Sequence, residues 1–476
     1  MSFGSGAALR PGHEAFVASS KVGLGTVLLL ASVQFAAFVD RAVPSVVAGA
    51  LKGEFGLTDR QIGALQGPAF ALTYAAVMLA AGHWGRRIEP FRLMALCVAV
   101  WTVGGVAFAL ASSYEVLMAA RMVLGVGQAA FAPTALMILG SSSVVMGRAR
   151  AVSMFTSGSA VGRSGSFFLV GAVLLLAAGQ TVAGLSPWRS ASLIPVLLNI
   201  GLIIGLLWKA RGRRMISAEP TLGLRTAVSW LGGDGRAVFG LMGASAGCVL
   251  SIQATGAWMP SILARAHELS SGHAGIAIGV VVLVAAPAGH LTAGWLLGLE
   301  RMKARGPAPV MAGALAVSVL AAFGLMATTW LPMTLACLSL LVASSGMAGA
   351  SALIGLQPLT PDPIRGGVNA IFLATVSVVG VGLGPWVTGM VSDRSVDAQF
   401  GLATSLACVV MVVAAVVIPL VLWQGRRWIS GPKTLRLGGG SPFAYRRRLI
   451  PQSGEIYKIA QETYTVHSDI PKLGDV

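Results

Sequence analysis

The chain has 476 residues, of which 55% are hydrophobic and only 11% charged, with 34 Lys and Arg against 17 Asp and Glu for a formal net charge of +17. Soluble domains carry about 25% charged residues. This composition, with a mean hydropathy of +0.79, excludes a water-soluble globular protein. In a soluble chain the basic excess would suggest nucleic acid; here the positions of the charges give it another origin, and no nucleic-acid partner is expected.

A helix crossing hydrocarbon needs about 20 apolar residues. Such runs are predicted at 22–50, 61–84, 93–112, 116–140, 148–178, 189–208, 236–263, 272–298, 307–328, 330–357, 367–391 and 401–424. With the N-terminus inside, 26 of the 34 Lys and Arg fall in inner segments, 5 in outer loops and 3 within helices. Lys and Arg stay on the cytoplasmic side, so both termini are expected there. The expected fold is an all-α, multi-pass membrane protein of about twelve helices in two six-helix bundles. It would sit in a cytoplasmic (inner) or plasma membrane.

The polar lead, 1–21, precedes a first bundle over 22–208. The first run holds FVDRAVPS (38–45), which contains Asp40, the one carboxylate well inside any predicted helix. A charge at the bilayer centre costs roughly 2.5–3.5 kcal/mol on insertion scales and normally faces a cavity or a partner. Asp40 and Arg41 are consecutive, so they point about 100° apart around the helix, and at least one should reach another helix. Pro44 has no N–H, which leaves the Asp40 carbonyl without its helical donor. The stretch therefore reads as a polar bend facing a water-lined path.

Further along, Arg121 lies near the outer end of the fourth run and Gln128 lies deeper in it. Arg163 sits about 15 residues, or roughly 22 Å, into the fifth. Three arginines against one aspartate leave the helical region short of negative charge. A substrate carboxylate or phosphate would supply it, and guanidinium forks onto both oxygens of such a group. Arg41 is the first candidate for this contact and Arg163 the second, with snorkelling or a water-lined position open for Arg163. Gly125, Gly127, Gly158, Gly162 and Gly165 read as close-packing positions between helices.

The stretch 209–235 is a central cytoplasmic loop, whose TLGLRTAVSWL portion fits either a surface amphipathic helix or a plain loop. A second bundle follows over 236–424, and 425–476 is a polar cytoplasmic tail, expected to be disordered. Trp258, Phe131, Phe70 and Tyr74 are candidates to line an apolar part of the path, with core packing or a lipid-facing position equally open. His290, Asn369, Gln253 and Ser344 are further polar candidates. The four cysteines, all within predicted helices, read as packing residues without metal spacing. No cofactor or metal is expected. The expected partners are membrane lipid and a small organic, anionic substrate; a monomer is the expectation.

The halves echo each other. Val43-Pro-Ser-Val in the first run is matched by Met259-Pro-Ser-Ile in the seventh, which suggests parallel repeats. FVDRAVPS, FGLTDRQIGALQGPAFALTY (55–74), RMVLGVGQAAFAP (121–133), WMPSILARAHELS (258–270), LTPDPIRGGVNA (359–370) and GLGPWVTGMVSDR (382–394) together resemble the major facilitator superfamily, in particular its spinster-like branch, with the anion:cation symporter branch as second choice. The resemblance spans about residues 22–424. It implies proton-linked or facilitated movement of a small organic molecule by alternating access, and no enzyme chemistry. It also implies a gating or coupling role for Arg121, Arg86 and Arg87.

Two departures stand out. GHWGRRIEPFR has Arg86 where the family carries an Asp that locks the outward-open state, so that lock is expected to be absent or replaced. Gln128 stands where spinster relatives carry a Glu linked to proton handling, and Gln cannot titrate. Asp40 is therefore read either as the proton carrier or as a fixed counter-ion. A uniporter or exchanger, and a sensor that keeps the fold without transporting, remain open beside a proton-coupled transporter.

Overall fold

A computed structural model describes residues 22–84, 88–140, 147–177, 180–181, 184–211, 224–233, 235–303, 305–356, 360, 364–395 and 401–429. Among them, twelve helices are long and apolar enough to cross a membrane. They are α1 (Leu24–Phe55), α2 (Asp59–Leu79), α3 (Pro90–Ala109), α4 (Tyr114–Leu139), α5 (Arg150–Ala177), α6 (Pro187–Ala210), α7 (Val238–Ala266), α8 (Ser271–Gly298), α9 (Ala308–Ala327), α10 (Leu331–Gly355), α11 (Gly367–Ser392) and α12 (Gly401–Gly425). Arg86 and Arg87 lie outside the described residues, as does the tail beyond 429.

Local chemistry sets the helix ends. Gly56, at φ 64°, ends α1 in the left-handed region that glycine adopts without strain. Thr58 and Gln61 form a reciprocal capping box that starts α2. The Glu89 carboxylate accepts from the Arg92 N–H at 2.8 Å, and Pro90 opens α3. Ser113 and Ser270 cap α4 and α8 in the same way. In the central stretch Leu224–Gly232 is helical, and its Ala227 and Leu231 are buried in the core of the second bundle.

The packing of the two bundles differs between the two faces of the membrane. On the side of the termini, each bundle keeps its own apolar core. One is built around Leu30, Met94, Trp101, Phe131 and Phe155; the other is built around Leu241, Met311, Leu315 and Phe372. On the opposite, outer side a single core runs through both, with Leu51, Ile62, Leu65 and Phe167 against Trp258, Ile262 and Ile278. Further inward, Ala75 and Met78 of α2 still meet Ala374 of α11.

Glycine makes the helix crossings close. A Cβ on Gly67 would overlap the Gly382 carbonyl across the α2–α11 seam, and one on Gly162 would overlap the Phe35 carbonyl where α5 lies on α1. One face of α5 shows the change of packing along the membrane normal. Thr156 and Ala160, towards the termini, are exposed, whereas Ser164, Phe167 and Gly171 on the same stripe are buried. There α8 covers them, and Ser164 Oγ donates to the Gly279 carbonyl at 2.8 Å. The bundles thus close against each other on the outer side and part towards the termini.

Candidate substrate path and outer latch

The stretch 38–45 of α1 splits its two charges between two environments. Asp40 is 4% exposed and faces the interior of the first bundle. Its Oδ2 accepts from Asn199 Nδ2 of α6 at 3.0 Å, and its carboxylate lies beside Gly105 of α3. Arg41, one residue on, points the other way, towards α2 and α4. Its Nε donates to Gln128 Oε1 at 2.5 Å. Its guanidinium lies 4.8, 4.7 and 5.1 Å from the ring centres of Phe38, Phe70 and Tyr74. Each such cation–π contact contributes about 0.5–2 kcal/mol. They hold the cation in place without neutralising it.

Arg121 repairs the backbone that Pro44 breaks. Its Nη1 donates to the Asp40 carbonyl and its Nη2 to the Arg41 carbonyl, both at 3.4 Å, while Nε donates to the Leu65 carbonyl at 3.2 Å. The Asp40 carbonyl is the acceptor the proline ring leaves without a donor. One buried guanidinium thereby ties α4 to α1 and α2. Gln128 adds a second tie, its Nε2 donating to the Ala37 carbonyl at 3.1 Å. Arg163 of α5 is half-buried and lies 5.6 Å from the Phe38 ring centre. Among the described residues no ion pair joins Asp40, Arg41, Arg121 or Arg163 to any partner.

For two candidate path residues the core-packing alternative holds. Trp258 is fully buried, and its Nε1 donates to the Pro385 carbonyl at 2.9 Å, so it seals α7 to α11. Phe131 is 2% exposed and packs on Trp101 and Phe155 in the core of the first bundle. Both rings sit where their helices meet neighbours, and the sequence carries no sign of which neighbour that is. Tyr74 and Phe70 do lie on Arg41, their rings stacked with centres 5.3 Å apart. His290 Nδ1 bonds the Ala286 carbonyl at 2.7 Å on the stripe of α8 that continues inward from Gly279. Ser344 bonds Ser318 of α9 at 2.7 Å, inside the second bundle. Gln253 and Asn369 are half-buried.

Sequence reasoning missed the outer latch. Asp59, the first residue of α2, receives both arms of Arg265 from the end of α7, at 2.7 and 2.5 Å. It also accepts from Lys52 Nζ at 2.7 Å and from Ser392 Oγ of α11 at 2.8 Å. Asp393, just past α11, accepts from the backbone N–H groups of Asp59 and Arg60 at 2.8 and 2.9 Å. A carboxylate from one bundle thus caps the positive N-terminal end of a helix in the other. The only sequence sign is the pair of Asp-Arg steps, 59–60 and 393–394, at opposite ends of the chain. Asn199 was also missed: a lone amide in an apolar run carries no signal of its partner.

The profile of the Major Facilitator Superfamily matches residues 30–385. The chain belongs to that superfamily: it is a multi-pass membrane transporter, not an enzyme. It is 25% identical over 411 residues to an MFS-type efflux pump of Mycolicibacterium smegmatis, covering 84% of this chain and 90% of that protein. It is 29% identical over 167 residues to the probable sulfoacetate transporter SauU of Cupriavidus necator, covering 35% of this chain and 36% of that one. Among solved structures it is similar to a bacterial homologue of the human lysosomal transporter Spinster in an inward-facing, unoccupied conformation. That match has a TM-score of 0.73 at 22% identity, covering 85% of this chain and 97% of the other. The crystal structure of the D-xylose–proton symporter matches with a TM-score of 0.64 at 16% identity, covering 84% and 96%.

Proposed function

We propose that this protein is a proton-coupled secondary transporter of organic anions that works by alternating access between its two bundles. The observation that carries the reading is the state of Arg41. It is a half-buried cation at the bilayer middle, oriented by Gln128 and three aromatic rings, with no carboxylate to neutralise it among the described residues. An anionic substrate that comes to this guanidinium gains a charge-assisted, two-point contact. The relative named for sulfoacetate, matched over 35% of this chain, supports a small anion as cargo.

Asp40 supplies the coupling. It lies outside the substrate contact, and Asn199 serves it in either protonation state. The amide N–H donates to the carboxylate. Asn199 Oδ1, buried without a partner among the described residues, is an acceptor for the O–H of the protonated form. Arg121 links this pair to the backbone beside Arg41. A proton on Asp40 therefore changes the charge balance one residue from the substrate cation. The test is sulfoacetate transport in proteoliposomes with and without a pH gradient. The wild type accumulates substrate under the gradient, while Asp40→Asn only exchanges it. Accumulation by Asp40→Asn would remove Asp40 from the coupling. A wild type that ignores pH would establish the uniporter or exchanger reading, which the non-titrating Gln128 favours.

A further inference from the structure

The charge inventory of the path sets the charge of the cargo. Three guanidiniums and one carboxylate lie among the described residues of the mid-membrane region. Arg121 is fully engaged by three backbone carbonyls, one of them that of Asp40, and stands as the cation next to that acid. Arg41 and Arg163 remain. Neither has an anionic partner among the described residues, and both lie against the same ring, at 4.8 and 5.6 Å from the centre of Phe38. Their separation is therefore at most the two distances end to end, which is within the span of a small molecule. Two like charges at that range repel, and in a region walled by apolar helices the repulsion is poorly screened.

Both side chains are half-buried rather than sealed. Arg163 shares its helix with the exposed Thr156 and Ala160, on the stretch of α5 that α8 leaves open. Neither side chain belongs to the buried core that joins the two bundles on the outer side.

We infer that the transported anion is a dianion with two acidic centres or one doubly charged one. Dicarboxylates and phosphate monoesters are the classes that fit. One charge is taken by Arg41 and the other by Arg163, and the carbon skeleton rests on Phe38, Phe70 and Tyr74. This rests on the anion-transport reading above and adds the number of charges. It also assigns different tasks to the two arginines. Arg41, fixed by Gln128 and three rings, is the anchor for any anion. Arg163, over the Phe38 ring, discriminates the second charge.

The experiment uses the full-length protein in detergent and three probes of one skeleton: phenyl phosphate, methyl phenyl phosphate and dimethyl phenyl phosphate. At about pH 8 they carry two, one and no charges, because the second ionisation of a phosphate monoester lies near 6. Binding is read by calorimetry and by thermal shift. The expected order is phenyl phosphate about tenfold or more tighter than methyl phenyl phosphate, with the neutral ester weakest. Arg163→Gln should weaken the dianion more than the monoanion and so close the gap between the first two; Arg41→Gln should weaken both. Equal wild-type affinity for the dianion and the monoanion overturns the inference and leaves the anion reading standing. So does a loss in Arg163→Gln that is the same for both. Equal binding of the neutral ester, or binding of none of the three, overturns both readings. The wild-type comparison stands without the variants, and Arg163→Lys, which keeps the charge, should keep the gap.

Discussion

The two polar assemblies of this protein are built on opposite principles. The outer latch is saturated: Asp59 alone receives Arg265, Lys52 and Ser392, and Asp393 satisfies two backbone donors of α2. The cluster around Arg41 is deficient: its cations lean on carbonyls, an amide and aromatic faces, and its one acid is turned away. A saturated group of charges makes a stable joint with nothing left to offer. A deficient one is held in place by weaker contacts and keeps its field for something that arrives. The position of each in the membrane fits its task, since the joint lies at the seam between bundles and the deficit lies at the middle of the path.

The sharpest way to break the comparison is to prevent the joint from closing. Gly67→Val places side-chain atoms on the Gly382 backbone, which cannot give way. Overpacking of this kind costs about 1–3 kcal/mol or more, and here the backbone overlap across the seam falls on the outer-closed form. Spin labels at the outer ends of α2 and α11 should then report a predominantly separated population, with transport lost. Asp59→Asn comes next. It leaves Arg265 without its carboxylate in a half-exposed setting, for an expected loss of about 2 kcal/mol, or roughly thirtyfold in the closed-to-open ratio. The same labels measure it. Raised salt should reduce the difference from wild type, because the lost contact is electrostatic.

The converse change sharpens the contrast by saturating the deficient cluster. Gln128→Glu sets a carboxylate against Arg41 Nε, where the amide oxygen now lies at 2.5 Å. The variant's anion affinity should fall about tenfold while its thermal stability holds or rises, read by substrate titration and melting. The smallest effect is expected from Asp393→Asn. The amide oxygen still accepts one N–H, so only the charge at the helix end is lost, about 0.5–1 kcal/mol and a few-fold change in the closed population.

The sequence displayed these features unevenly. The spans were legible because lipid demands long apolar runs, and each predicted run lies within a few residues of a helix. Asp40 and Arg41 were legible for the same reason, as charges stand out against such a background. That they diverge also followed from helical geometry. The latch was illegible because charges at helix ends look like ordinary solvated termini. Its partners are 206 and 333 residues from Asp59 and meet only after the bundles close. Trp258 and Phe131 stayed open between path, core and lipid because an aromatic ring in an apolar helix has no marker for the neighbour it will face. Asn199 shows the complementary failure, where an unremarkable amide turns out to be a side-chain partner of the buried acid.

Arg121 occupies the place of the amide hydrogen that Pro44 lacks, so that stretch of α1 belongs to three helices at once. Turning α1 against α4 would strand the Asp40 carbonyl away from water. The first bundle is therefore expected to rock as one block, with its hinge set elsewhere. The strain of switching then concentrates at the glycine-lined seams with α8 and α11, where a single methyl group is enough to jam the machine.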